Sequence, residues 1–191
     1  MASTTTDNGP PCILLSSAFG VETVLLLARR FPHVRFELLP ESGEVPEHAA
    51  DATVLLRKAM PHDVLHTALD GAPGIDWIHT ASAGFNWVLT PRVAATDIVL
   101  TRTANVLNTP IAEFVVALAL ALFKRLPTFL DQQSDRVWRR PETLTTMTGA
   151  TASIIGAGAI GRATATRLQA LGMRVLGMKR TPEPLPGFDE V

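Results

Sequence analysis

The residues whose types and spacing point most directly to chemistry are Gly156, Gly158 and Gly161. They form G-x-G-x-x-G within the run Thr-Ala-Ser-Ile-Ile-Gly-Ala-Gly-Ala-Ile-Gly-Arg-Ala that starts at Thr151. A short β-rich run precedes the glycines, a helical pattern follows to Leu171 with Gly172 as its stop, and a second β-rich run extends from Met173 to Met178. That order suits the pyrophosphate of a dinucleotide. The first glycine permits a tight turn, the second removes a side chain where phosphates approach, and the third lets helix and strand pack closely. Ala157 lies inside the turn, and the backbone amides around Ala159 and Ile160 would face the phosphates with the helix dipole behind them. At a glycine content of 13 in 191 residues, the bare pattern is expected by chance roughly 0.06 times. A purely structural glycine turn is the competing reading.

An Asp or Glu about 20 residues beyond such a motif binds the ribose hydroxyls of NAD. This chain has Lys179, Arg180 and Thr181 there instead. Two cations and a hydroxyl attract a 2′-phosphate that a carboxylate would repel, so the sequence predicts NADP(H) preferred over NAD(H). A solvated basic turn is the alternative.

These residues need strands and helices to hold them. Apolar β-rich runs at Cys12 to Ser16, Arg35 to Leu39, Thr53 to Arg57, Asp76 to Thr80 and Ile98 to Thr101 alternate with helical patterns such as Val21 to Arg30 and His62 to Leu69. The alternation predicts an α/β fold with parallel strands, its first part a flavodoxin-like open sheet with helices on both faces. Beyond Asn105 the pair Thr109-Pro110 predicts a capped helix running to Lys124-Arg125. It is apolar nearly all round and so is expected to be buried on several sides, between domains or between subunits. Pro127 is expected to break it, a more polar helix to follow from Thr128 to Arg140, and a connector to occupy Pro141 to Thr148.

Composition narrows the class of partner. Lys and Arg total 17 against 18 Asp and Glu, with 47% hydrophobic residues and 18% charged. A chain so apolar and so evenly charged is expected to fold, and gives no electrostatic reason to bind nucleic acid or an anionic membrane. The longest apolar stretch, Phe114 to Phe123, has ten residues, where a membrane span needs about 20. The start, MASTTTDNGPP, reads as a frayed polar tail rather than a secretory signal. The single cysteine, Cys12, falls in an apolar run and reads as an inert core thiol; it excludes an internal disulfide and a multi-cysteine zinc site, so no metal is expected. A cytoplasmic location is the corresponding expectation.

Three segments together resemble D-isomer-specific 2-hydroxyacid dehydrogenases: Ile78 through Ala83-Gly84-Phe85-Asn86, the stretch Thr109 to Phe114, and the glycine run. The resemblance covers the chain from about Asp51 onward and extends to glyoxylate/hydroxypyruvate reductases and phosphoglycerate dehydrogenases. It implies a flavodoxin-like substrate domain over residues 1–104. Residues 105–191 would then form an interdomain helix and the first part of a Rossmann NAD(P)-binding domain. It implies that Ala83 and Gly84 present backbone amides to a substrate carboxylate, although Asn86 stands where many members have Asp. The implied reaction is hydride transfer between nicotinamide and a small 2-hydroxy or 2-keto acid, by a homodimer.

The family's catalytic arginine and histidine–carboxylate pair match no residue here and are expected beyond Val191, so the sequence predicts a C-terminally truncated member whose own activity is doubtful. The edge of its second Rossmann strand is expected to be unpaired. His33, His48, His62, His66 and His79 read as structural or surface residues, and Arg57 as a strand end either facing the cleft or solvated. A non-catalytic nucleotide-binding or protein-interaction module, corepressor-like, or an inactive remnant, is the alternative.

Overall fold

In the computed structural model, residues 10–140 and 143–191 are described. The tail segment 1–9 and the first two connector residues, Pro141 and Glu142, lie outside them. The chain divides into two compact units, one ending at Ala104 and the other beginning at Asn105.

Among the described residues, the first unit carries five parallel strands: β1 (Cys12–Leu15), β2 (Arg35–Leu38), β3 (Val54–Arg57), β4 (Trp77–Thr80) and β5 (Val99–Arg102). Their order, β2-β1-β3-β4-β5, is the flavodoxin-like order. Alternation of side chains along each strand turns one face of the sheet into an apolar row. Leu14 pairs with Leu55, Leu55 with Ile78, and Ile78 with Leu100. The first three are fully buried. Helix α1 (Gly20–Arg30) lies along β2, and helix α2 (His62–Gly71) adds Leu65, Ala68 and Leu69 to the core. Cys12 is part of that core, and burial pushes its thiol pKa up, as expected of an inert core residue.

Among the elements not expected from the sequence is the short helix α3 (Pro91–Ala94). It is built by the N-cap signature: Thr90 Oγ1 accepts from the Val93 amide at 3.2 Å, and Pro91 takes the first helical position.

The second unit begins with helix α4 (Asn108–Phe123). The expected Thr109 cap is absent. The helix starts two residues earlier, Leu107 makes no side-chain cap, and Pro110 sits in the first turn, where its missing N–H has no intrahelical acceptor to lose. Within the single chain, its own unit covers one side of this helix. Val116, Ala119, Leu120 and Phe123 pack on the second core, while Phe114, Leu118 and Leu122 are exposed.

Helix α5 (Leu126–Ser134) takes Pro127 into its first turn, and it stops six residues short of the expected Arg140. Arg136 there adopts φ 53°, and the amides of Arg136 and Val137 return to the carbonyls of Gln133 and Gln132. This is the closing pattern usually made by glycine.

Strand β6 (Thr151–Ile155), helix α6 (Ala159–Ala170) and strand β7 (Arg174–Met178) follow, with β6 and β7 parallel. Helix α6 ends as expected at Gly172, whose φ of 77° lets its own amide reach the Gln169 carbonyl and that of Met173 reach the Leu168 carbonyl. Leu168 and Met173 are both buried beside Val175 in the second core. The outer edge of β7 is partly paired, contrary to expectation: Leu176 bridges Glu190 in parallel, and the Gly177 amide donates to the Glu190 carbonyl at 2.7 Å. Asp189 adds a carboxylate contact to the Val175 amide at 2.6 Å, which holds its pKa below the usual aspartate value.

In the row Leu14–Leu55–Ile78, Leu55 is fully buried with a fully buried neighbour on either side. Leu55→Ala is expected to lower the stability of that unit by about 3 kcal/mol, measured as a fall in the urea midpoint at unchanged slope.

Candidate functional site

The glycine run occupies the turn between β6 and α6. Gly156 has φ 104°, a conformation side-chain-bearing residues rarely adopt, and its amide and that of Ala157 both donate to the Met178 carbonyl at the end of β7. Gly161, on the first turn of α6, is the tightest position. A Cβ added there would lie 2.2 Å from the Gly156 carbonyl oxygen. A Cβ at Gly156 or Gly158 would meet nothing within 4 Å.

The three glycines therefore differ in what surrounds them. Gly161 closes the helix onto the turn, whereas Gly156 and Gly158 keep open the space in front of the helix start. The amides of Ala159, Ile160 and Gly161 belong to the first turn of a twelve-residue helix, where N–H groups have no intrahelical acceptor. Donors, helix dipole and missing Cβ atoms are what a pyrophosphate requires, so these residues fit a dinucleotide.

The end of β7 forms the other wall. Ile155, Gly156, Ala157, Gly158, Met178, Lys179 and Arg180 line one open groove of about 560 Å³. Ile155 and Met178, not singled out from the sequence, give it an apolar floor; both are well exposed at the carboxyl ends of their strands. Thr181 is exposed directly beyond Arg180 and is not among the lining residues. The sequence reading also missed a partner of the cationic wall: Lys179 Nζ donates to Glu183 Oε1.

In the first unit, Ala83 and Gly84 are exposed in the irregular segment after β4. Their carbonyls are already used. The Ala83 carbonyl accepts from Arg102 Nη1, and the Gly84 carbonyl accepts from Ser82 Oγ at 3.0 Å. The Arg102 guanidinium also lies over the Phe85 ring, 5.5 Å from its centroid. Among the described residues, neither the Ala83 nor the Gly84 amide donates to a protein acceptor, and a Cβ at Gly84 would meet nothing within 4 Å. The loop is thus pinned through the Ala83 and Gly84 carbonyls, while the amides of these two residues stay free.

Arg57, at the carboxyl end of β3, is not a solvated strand end: it is only 4% exposed. Its Nη2 donates to the Met60 carbonyl at 2.6 Å and its Nη1 to Thr80 Oγ1 at 3.4 Å, while Nε has no partner among the described residues. Burial pushes the guanidinium pKa below its ordinary value.

Three histidines have local partners: His48 with Glu37, His66 with Thr90, and His79 with Thr101 and Thr103. Among the described residues no three metal-ligating side chains cluster, and no helix is long and apolar enough to cross a membrane.

A parallel strand–glycine turn–helix–strand unit with open helix-start amides defines a dinucleotide-binding protein of Rossmann type. Residues 116–190 match the family model described as D-isomer specific 2-hydroxyacid dehydrogenase, NAD binding domain. A glyoxylate reductase of Thermococcus gammatolerans is 30% identical over 169 residues, covering 80% of this chain and 49% of that protein. A D-isomer specific 2-hydroxyacid dehydrogenase family protein from Aeromonas salmonicida superposes with a TM-score of 0.76 at 26% identity, over 95% of this chain and 57% of that one.

The NADPH-dependent glyoxylate/hydroxypyruvate reductase of Sinorhizobium meliloti solved with citrate gives 0.72 at 26% identity, over 93% and 57%. The chain belongs to the D-isomer specific 2-hydroxyacid dehydrogenase family. It spans 33% to 49% of the length of the glyoxylate reductases it matches.

The division of work among the glycines is testable by two single-methyl additions. Gly161→Ala is expected to destabilise the second unit by about 1–3 kcal/mol through overpacking, while Gly158→Ala stays within about 0.5 kcal/mol of the parent. Thermal unfolding of both variants measures the difference.

Proposed function

We propose that this chain serves an NADP(H)-preferring reductase of small 2-keto acids, with hydride passing between nicotinamide and C2 of the 2-hydroxy or 2-keto acid. The observation that carries this reading is the shared groove: the open glycine turn and the cations Lys179 and Arg180 line one cavity. Gly156, Ala157 and Gly158 would accommodate the pyrophosphate, with the amides of Ala159, Ile160 and Gly161 as donors. Lys179, Arg180 and Thr181 would hold the ribose 2′-phosphate.

Ala83 and Gly84, with their amides free, would receive the substrate carboxylate, and charge-assisted bonds from main-chain N–H groups suit that anion. A two-carbon or three-carbon keto acid such as glyoxylate or hydroxypyruvate is the substrate class this reading favours. A homodimer formed through the exposed Phe114, Leu118 and Leu122 of α4 belongs to the same reading, because such a patch on one helix favours self-association. A cytoplasmic setting goes with it.

The test is fluorescence titration of the purified chain with NADPH and with NADH. NADPH is expected to bind at least about tenfold more tightly, equivalent to about 1.4 kcal/mol, and Gly158→Ala is expected to weaken both alike. Tighter NADH binding would refute the preference. Loss of affinity for only one of the two cofactors in Gly158→Ala would refute the pyrophosphate role.

A further inference from the structure

The cationic wall of the groove already holds an anion. Lys179 Nζ donates to Glu183 Oε1, and the partners are separated by only four residues. Glu183 lies between Pro182 and Pro184. Proline fixes its own φ and restricts the residue before it to extended conformations, so this Pro-Glu-Pro segment presents its carboxylate from a stiff backbone. Lys179 lines the groove beside the glycine turn, whereas Glu183 is outside that lining, against Lys179 from beyond the groove.

We propose that Glu183 is a specificity-determining residue. Its carboxylate is a tethered counter-ion that competes with the cofactor's 2′-phosphate for Lys179 and so limits the preference for NADPH over NADH. The inference rests on the assignment of Lys179 to that phosphate. A phosphate dianion offers more charge and more acceptor oxygens than a carboxylate, so it displaces Glu183, but each binding event breaks an existing ion pair. A cofactor with a plain 2′-hydroxyl has no such exchange to make.

The charges around Glu183 agree with this role. The hydrogen bond from Lys179 holds its carboxyl pKa below the usual glutamate value, and the Arg162 guanidinium on α6 adds attraction. Glu183 therefore remains an anion at neutral pH. Both partners are substantially exposed, so the pair adds little to folding and the exchange can occur without opening a core.

Dissociation constants for NADPH and NADH, measured on the parent chain, Glu183→Gln, Lys179→Met and the double variant, test the inference. Glu183→Gln is expected to tighten NADPH by about threefold to tenfold, of the order of a surface ion pair and its repulsion of phosphate, and to leave NADH unchanged. Lys179→Met is expected to weaken NADPH, and in the double variant the gain from Glu183→Gln should disappear. If Lys179→Met weakens NADPH but Glu183→Gln does not tighten it, the counter-ion role is overturned while the phosphate assignment stands. If Lys179→Met leaves NADPH unchanged, the phosphate assignment fails and the inference fails with it. Weaker NADH binding in Glu183→Gln overturns the proposal in favour of Glu183 as a ribose hydroxyl acceptor.

Discussion

The first turn of α6 passes so close to the turn after β6 that no side chain fits between them. A Cβ on Gly161 would sit 2.2 Å from the Gly156 carbonyl oxygen. That contact of bare backbone fixes the angle at which α6 leaves the strand. The angle in turn places Ala165 and Leu168 on the second core beside Val175, and directs the helix-start amides toward the space kept open by Gly156 and Gly158. Fold and binding geometry in the second unit thus share one steric constraint. The Schellman closure at Gly172 settles the other end of the same helix and returns the chain into β7, beyond whose end Lys179 and Arg180 complete the groove.

The first unit reaches its geometry differently. Parallel strands buried by their neighbours make long apolar rows, and such rows leave polar function to the carboxyl ends of the strands. Arg57 ends β3 and the Ala83–Gly84 loop follows β4, both on that side. Arg102 holds the loop through the Ala83 carbonyl and the Phe85 ring, which leaves the Ala83 and Gly84 amides unused among the described residues. A second unusual feature there is the buried Arg57 guanidinium, which has no acidic partner among the described residues and meets only the neutral oxygens of Met60 and Thr80.

What the sequence made legible follows from how local each signal is. All five strands of the first sheet and both of the second lie within two residues of their apolar runs, since a buried parallel strand needs a continuous apolar segment. The glycine turn was legible for the same reason: its geometry demands particular residues at particular places. Capping signatures were less decisive. Thr90-Pro91 starts a helix, whereas the identical pair Thr109-Pro110 lies inside one that had already begun at Asn108.

The end of α5 at Arg136 was hidden because an arginine, not a glycine, takes the left-handed position. The exposed face of α4 was hidden too, because apolar periodicity shows that a helix needs cover without showing how much cover its own unit supplies. The pairing of Lys179 with Glu183 depends on side-chain placement that neither residue's identity dictates.

Cys12 has a practical consequence of its own. It is the chain's one thiol, 3% exposed, in the strand that lies between β2 and β3. A thiol reagent can reach it only when that part of the sheet opens, and until then burial also keeps the nucleophilic thiolate scarce. The rate at which Cys12 is labelled under native conditions is therefore a clock for opening of the first sheet, built into the chain without any added probe.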